Sequence, residues 1–78
     1  MKYFNGTNIE LGDRIIWKTP SFIESGIVVC LINQGKYIDD YDFTFLQNQG
    51  GGIMILFDQL GLVQIFEDDD IELHLTNR

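Results

Sequence analysis

The side chains of this chain that could take part in catalysis are few and scattered. His74 is the only histidine, and acid–base catalysis needs a partner base or nucleophile within hydrogen-bond reach. It alternates with apolar residues in the segment 71–75, which predicts an exposed position on a strand. Cys30 is the only cysteine and lies in an apolar run, where burial makes a thiol inert. We therefore expect a protein that is not an enzyme.

Two groups of aspartates are the candidates for metal binding. They are Asp39, Asp40 and Asp42 in the first group, and Asp68, Asp69 and Asp70 in the second. Neither group has the glycine at position 6 and the closing glutamate of a calcium-binding EF-hand loop. A phosphate-binding loop follows a strand, precedes a helix and carries a lysine, whereas the glycines at 50–52 precede a β-rich run. We expect solvated turns, with neither a metal nor a cofactor.

Residues 37–46, called here the acidic insertion, mix acids with aromatic residues. Aromatic side chains can bury on a partner protein, and a rim of carboxylates can steer a basic partner towards them. The alternative is that Phe43 or Phe45 closes the open end of the fold while the acids face solvent, and the sequence leaves both readings open. The predicted partner-binding residues are Tyr37, Asp39, Asp40, Tyr41, Asp42 and Phe43, with Asp68, Asp69 and Asp70 as a second acidic edge.

The aromatic residues also allow a different kind of site. Trp17, Tyr37, Tyr41 and Phe43 have the chemistry of an aromatic cage for a methylated or quaternary cation, with Asp42 as the counter-charge. Packing in the core is the commoner use of each of these side chains. The sequence therefore supports, as an alternative function, a barrel that binds a peptide or a cationic ligand through aromatic side chains.

The size and composition of the chain predict one small ordered domain, residues 1–78. The chain has 78 residues, of which 45% are hydrophobic and 13% are aromatic, enough to form a core. Twelve acidic residues against five basic ones give a formal net charge of −7. This charge repels phosphate backbones, so we expect no binding to nucleic acid. It favours a cationic partner or simply keeps the protein soluble.

The sequence also bears on the compartment. A single cysteine cannot form an intramolecular disulfide, which suits a reducing compartment. No apolar run approaches the roughly 20 residues needed to cross a bilayer, and no apolar segment follows the first basic residue as in a signal peptide. We expect a cytoplasmic protein without membrane contact. The sequence does not decide between a monomer and a dimer.

These side chains must be positioned by short β-strands. A bend at 11–13 precedes a strand at 14–17, and a second strand is expected at 26–32, apolar on both faces. Two apolar runs, 53–57 and 62–66, flank the residues 58–61 in the pattern of a β-hairpin, in which Gly61 is expected at positive φ. The last strand is expected at 71–75. The spacing of Tyr41, Phe45 and Leu46 is compatible with one turn of helix in 40–46.

Five short strands in a chain of this length predict an all-β fold, a small five-stranded SH3-like barrel. Closing the sheet protects apolar edges that an open flat sheet would expose. The acidic insertion is an irregular segment between the second and third predicted strands. The other architectures that the pattern permits are a five-stranded OB-type barrel and a mixed α+β roll.

Short motifs of glycines and apolar residues recur through most of the chain. They are Gly6-Thr7, Leu11-Gly12-Asp13-Arg14-Ile15, Gly26-Ile27-Val28-Val29-Cys30, Tyr37 then Tyr41, Gly52-Ile53-Met54-Ile55, Asp58 then Gly61-Leu62, and Asp70-Ile71-Glu72-Leu73. With these motifs the chain resembles a group of small bacterial proteins of uncharacterised function that share the pattern GT-x-LGDRV…GVVV…GVMV…D-x-x-GL…DLEL. Some members of that group look like immunity proteins, which protect a cell from a secreted toxin. That group has prolines and a Trp-x-x-Leu-like segment where this chain has its acidic insertion.

The resemblance and the charge together predict a protein-binding function. An immunity or antitoxin-like protein of the bacterial cytoplasm would bind a cognate effector and block its active site. Such an effector is often basic where it is a nuclease, which fits the acidic character of this chain. We therefore expect a protein partner, a basic toxin or effector, that meets the acidic insertion and the second acidic edge.

Overall fold

The computed structural model describes residues 1–69 and 71–78, and the architecture of this part of the chain is one antiparallel sheet with short connections. The strands are β1 (Arg14–Lys18), β2 (Ile23–Leu31), β3 (Lys36–Tyr37), β4 (Ile53–Phe57), β5 (Gly61–Ile65) and β6 (Glu72–Asn77). Two 3-10 helices, Ile32–Gln34 and Thr44–Gln49, lie between β2 and β4. The prediction of a small, mostly-β protein is confirmed.

The β2 strand is the centre of the sheet. The strand order is β5-β4-β2-β1-β6, and β3 pairs with the end of β2. The register of β2 against β4 shifts between Val28 and Cys30, and such a bulge bends the strand that carries it. The first half of β2 therefore pairs with β1, while its second half pairs with β4 and β3.

Apolar side chains cover both faces of the β2–β4 pair. On β4, Ile53, Ile55 and Phe57 belong to the larger buried cluster, whereas Met54 and Leu56 belong to a smaller cluster on the opposite face. On β2, Val28 belongs to the larger cluster, whereas Val29 and Cys30, at the bulge, belong to the smaller one. This arrangement confirms the predicted faces of the hairpin and explains why the run 27–32 is apolar throughout.

The hairpin and the first strand lie where the sequence predicts them. Gly61 closes the hairpin at a φ of 77°, a conformation that favours glycine. Gly52, at a φ of 84°, enters β4 so close to β5 that an added Cβ would lie 2.0 Å from the carbonyl oxygen of Ile65. All three glycines at 50–52 adopt positive φ, so this entry into the hairpin has a backbone conformation that favours glycine.

Several details differ from the sequence-based expectation, among them the last strand, which is Glu72–Asn77 instead of 71–75. The second strand begins at Ile23 instead of residue 26, because its first residues pair with β1. The short strand β3 was not predicted, so the described sheet has six strands instead of five. The helical turn begins at Thr44 instead of residue 40.

The described residues contain no segment of the kind that spans a bilayer as a helix: within 1–69 and 71–78, no helix is long and apolar enough.

Candidate functional site

The acidic insertion packs its apolar side chains on the outer face of β2 and β4. Ile38, Tyr41, Phe43 and Leu46 all contact the smaller apolar cluster. The buried members of that cluster are Val29, Cys30, Ile32 and Met54. The insertion is therefore folded onto the sheet, and Tyr41 and Phe43, both predicted to bind a partner, are half-buried in this packing.

Backbone hydrogen bonds fix the path of the insertion. The amide of Ile38 donates to the carbonyl oxygen of Val29 at 2.9 Å, and the amide of Tyr41 donates to Ile38 at 2.9 Å. Between them Asp40 adopts a φ of 76°, a left-handed conformation that aspartate tolerates better than most residues. The chain reverses here, and the reversal turns the side chains of Asp39 and Asp40 to solvent.

Asp42 lies two residues before the second 3-10 helix and bonds to its first residue, Thr44. Its Oδ1 accepts hydrogen bonds from the Thr44 amide at 3.0 Å and from the Thr44 hydroxyl at 2.6 Å. These bonds from Thr44 lower the pKa of the Asp42 carboxyl below its usual value. The carboxylate is exposed, so it is held in place and remains accessible.

The outward side of the insertion is acidic and aromatic. Asp39, Asp40 and Asp42 are exposed, and within residues 1–69 and 71–78 none of them takes part in an ion pair. The Phe45 side chain is 66% exposed, with its ring centre 6.1 Å from that of Phe43. Tyr37, on β3, is also exposed. Neighbouring residues thus divide between the two predicted roles: Phe43 packs on the sheet, and Phe45 faces solvent.

The second acidic edge is the turn between β5 and β6. Asp68 and Asp69 are exposed, and Asp70 lies outside the described residues. The Asp69 carboxylate accepts a hydrogen bond from the Phe66 amide at 2.9 Å, which closes the turn. Gln64 of β5 donates to the carbonyl oxygens of Gln49 and Gly51 at 3.3 and 2.9 Å. This side chain connects the strand before the acidic turn to the segment that follows the insertion.

A buried carboxylate network that was not predicted from the sequence is centred on Asp13. Asp13 is 1% exposed and accepts hydrogen bonds from the Tyr3 hydroxyl at 2.6 Å and the Glu10 amide at 2.9 Å. Nε of Arg78 donates to its other oxygen at 3.1 Å. The network therefore joins residues 1–8, called here the N-terminal arm, to the bend before β1 and to Arg78.

The pKa values in this network reflect its burial. Burial by itself raises the pKa of Asp13, but hydrogen bonds from Arg78 and Tyr3 outweigh it and hold the pKa below its usual value. Burial and the adjacent carboxylate raise the pKa of Tyr3 well above its usual value. Asp13 is thus a charged structural residue. Its alternation with Ile15, which also faces the core, is the sequence signal that could have indicated burial.

Glu24 is a second buried carboxylate that the sequence did not reveal. It is on β2, and its Oε2 accepts hydrogen bonds from the amides of Gln59 and Leu60 at 2.6 and 3.3 Å. Both amides belong to the loop of the β4–β5 hairpin. Glu24 therefore holds that loop against the sheet, which is a structural role.

The residues considered for catalysis are not assembled into a site. Cys30 is fully buried, and burial raises the pKa of its thiol. His74 is half-buried on β6, with Nε2 2.7 Å from Oε2 of Glu72 and its ring 5.3 Å from the ring of Phe4. His74 therefore lies on a strand as predicted, with 35% of its side chain exposed, and the contact with Phe4 covers part of the ring. Among the described residues, no group of three or more potential metal ligands lies together.

Trp17 does not join the aromatic residues of the insertion. Its ring contacts those of Phe22 and Phe57 at 5.4 and 5.6 Å, and it packs on the larger cluster. Tyr41 and Phe43 pack on the smaller cluster, on the other face of the sheet. The four aromatic residues considered for a cage are therefore not brought together in one site.

Trp17 instead borders a groove of about 460 Å³. The groove runs between the N-terminal arm, the β1–β2 loop and the start of β6, and Phe4 and Pro20 supply much of its apolar wall. Its remaining lining residues are Lys18, Thr19, Ile71 and Glu72. This is a second candidate surface, separate from the acidic insertion.

Comparison of the chain with family models, with curated proteins and with solved structures gives no match in any of the three. The resemblance to the group of small bacterial proteins therefore stays a prediction.

Proposed function

We propose that this protein is a non-enzymatic binding module, an immunity or antitoxin-like inhibitor that occludes a basic effector protein in the bacterial cytoplasm. The observation that carries the proposal is the division of side chains along the acidic insertion. Its half-buried apolar side chains hold the segment on the sheet, while its three carboxylates and Phe45 face outward without an ion pair among the described residues.

A segment organised in this way suits recognition. Because the packing and the Asp42–Thr44 bonds already fix the backbone, binding would cost little additional conformational entropy. Phe45 supplies an aromatic anchor, since such side chains dominate many interfaces. The free carboxylates would accelerate encounter with a basic surface. The expected contact residues are those predicted from the sequence, with Phe45 added and Tyr41 and Phe43 serving mainly as support.

The proposal includes a finer description of the fold, a small SH3-like barrel. The end strands of the order, β5 and β6, contribute Ile65 and Leu73 to the same buried cluster. Strands at opposite ends of a sheet can share a core only when the sheet curls strongly. The order β5-β4-β2-β1-β6 and the bulge in β2 suit such curling.

Other classes of partner and chemistry receive less support. Arg14 and Lys18 stand at opposite ends of β1, about 13 Å apart at 3.3 Å per residue, and Lys36 lies on β3 beyond the end of β2. This spacing, together with the formal net charge of −7, favours a protein partner over nucleic acid. The buried thiol of Cys30 fits a reducing compartment such as the cytoplasm.

The proposal is tested by capture of a partner. The intact chain is used as bait in lysate of its native host, and it is co-expressed with the protein of the adjacent reading frame. We expect a basic protein to be retained and its toxicity to be suppressed. If nothing is retained and the neighbouring protein is neither toxic nor bound, the proposal fails.

Two phenylalanines provide a matched pair of variants for this experiment. Phe45 and Phe4 are similarly exposed, at 66% and 70%, but Phe45 is on the insertion and Phe4 borders the groove. We expect Phe45→Ala to weaken binding at least about tenfold and Phe4→Ala to leave it nearly unchanged. The reverse result would move the binding surface to the groove.

The groove supports a second candidate function, binding of a peptide or a cationic ligand through aromatic side chains. Phe4, Trp17 and Pro20 form an apolar wall of the kind that extended peptides contact, and Glu72 lies beside it. Titration with trimethyl-lysine and with a proline-rich peptide, followed by NMR, should shift the Trp17 indole signal if this holds. An indole signal that stays in place with both ligands would rule the second candidate out.

A further inference from the structure

The β5 strand is an edge of the sheet whose outer side is open. It ends the strand order, and β4 is its partner in the described sheet. The other end strand, β6, is partly covered, because the amide of Phe4 donates to the carbonyl oxygen of Leu73 at 2.9 Å. The two edges therefore differ, and β5 is the less protected one.

The register shows which backbone groups of β5 face outward. The amide of Asp58 donates to Ser25, so residue 58 and the alternate residues of β4 direct their backbone groups towards β2. The remaining residues, Ile53, Ile55 and Phe57, direct theirs towards β5, where their partners are Ile65, Val63 and Gly61. The backbone N–H and C=O groups of the residues between those partners therefore point away from β4, out of the edge of the sheet.

Leu62 and Gln64 are these outward-facing residues. In the described part of the chain, their N–H and C=O groups make no backbone hydrogen bond outside the β4–β5 ladder. Phe66, the next residue with this orientation, is already bonded to Asp69 through both its amide and its carbonyl oxygen. The open edge is therefore two residues long, with two donors and two acceptors.

This edge lacks the devices that usually prevent strand pairing. Natural edge strands carry charged residues, prolines or bulges, whereas residues 61–65 contain no charge and no proline, and their register with β4 is regular. The Leu62 side chain is 45% exposed, and the neighbouring Leu60 is also exposed. An added strand would cover apolar surface as well as satisfy the backbone groups.

The charges at the two ends of β5 select the occupant. Asp58 precedes the strand and Glu67, Asp68 and Asp69 follow it, all exposed and without an ion pair among the described residues. Two copies pairing antiparallel through β5 would bring Asp58 of one copy near the acidic turn of the other, and like charges would repel. A strand with basic residues at both ends would instead meet acids at both ends.

We propose that β5 is a docking edge for an extended segment of a partner protein, apolar in its centre and basic at both ends, which adds a strand to this sheet. Because β5 is five residues long, basic residues that flank its counterpart on the added strand are about six positions apart. This inference goes beyond the proposed function, because it uses the backbone of β5 and not the acidic insertion. Either surface can fail its test without affecting the other.

The test uses the intact chain and a synthetic peptide, Lys-Lys-Thr-Val-Thr-Val-Thr-Lys-Lys, with blocked ends. Binding is followed by NMR and by amide hydrogen exchange. We expect the exchange of the Leu62 and Gln64 amides to slow at least about tenfold at saturating peptide. The paired variant Asp58→Asn with Glu67→Gln should weaken binding at low salt, while Phe45→Ala should leave it unchanged.

Two control peptides leave the protein itself unaltered. One has N-methyl groups on its three central residues, which removes the strand donors, and the other has glutamates in place of the lysines. Neither should protect Leu62 and Gln64. The proposal is overturned if the N-methylated peptide binds equally well, or if the first peptide binds without slowing these two amides. It is also overturned if both amides become protected with rising protein concentration alone, which would identify a second copy as the occupant.

Discussion

At the scale of single residues, the buried carboxylate of Asp13 is expected to contribute strongly to the stability of the fold. It accepts hydrogen bonds from Tyr3, Glu10 and Arg78, which are separated from it by up to 65 positions along the chain. Losing charge-assisted bonds to a buried group costs about 1–3 kcal/mol. We therefore expect Asp13→Asn to lower the free energy of unfolding by about that amount in a urea titration, while Asp58→Asn, on an exposed loop, changes it by less than about 0.5 kcal/mol.

The same variant changes the response to acid. Because the pKa of Asp13 is lower in the folded state than in the unfolded state, the unfolded chain binds the proton more readily. The stabilisation is present above the unfolded pKa, about 4, and is lost as the pH falls through the folded value. Stability of the natural chain should drop more steeply below about pH 4 than that of Asp13→Asn. Parallel curves for the two proteins would show that this carboxylate does not remain charged in the core.

The burial of Cys30 was predicted from the sequence, whereas the burial of Asp13 and Glu24 was not. Burial of an apolar side chain follows from local pattern, since neighbouring residues in the strand are apolar as well. Burial of a carboxylate depends on donors that only the fold brings together. Glu24 accepts hydrogen bonds from amides 35 and 36 positions away, and no local sequence pattern predicts a contact between residues so far apart.

At the scale of elements, the two roles of the insertion can be separated by a pair of aromatic variants. Phe43 is half-buried on the smaller apolar cluster, whereas Phe45 is largely exposed. We expect Phe43→Ala to lower the free energy of unfolding by about 1–3 kcal/mol, measured by thermal or urea unfolding. Phe45→Ala should change it by less than about 0.5 kcal/mol. Equal losses in the two variants would contradict the division into a supporting and an outward side.

The strands could be predicted more accurately than the segment between β2 and β4. The hairpin of β4 and β5 has alternating apolar faces and a glycine at its turn, and both are local signals. The two residues of β3 carry no pattern and pair with β2 only because the chain returns beside it. The helical turn begins later than expected because Asp40 adopts positive φ and Asp42 bonds to Thr44. These are side-chain and backbone effects that periodicity does not detect.

At the scale of the whole molecule, the net charge is −7, and the acidic side chains are of two kinds: some are paired within the fold and others are exposed. Arg78 pairs with Glu10 and Asp13, and Glu72 contacts His74. The acids of the insertion and of the β5–β6 turn remain available. The sequence predicted these acidic segments and left open which aromatic residues pack and which face a partner. In the structure Tyr41 and Phe43 pack on the sheet, which makes the insertion a defined surface.

The most direct test of the central claim is the rate at which the captured partner associates with charge-neutralised variants. Asp39→Asn with Asp40→Asn removes two charges from the insertion, and asparagine tolerates the positive φ at position 40. Asp58→Asn with Glu67→Gln removes the same number from the ends of β5. At about 50 mM salt we predict that the first pair slows association about tenfold and the second less than about threefold, a difference that shrinks at about 500 mM salt. Equal slowing by both pairs would contradict the assignment of the insertion as the main binding surface.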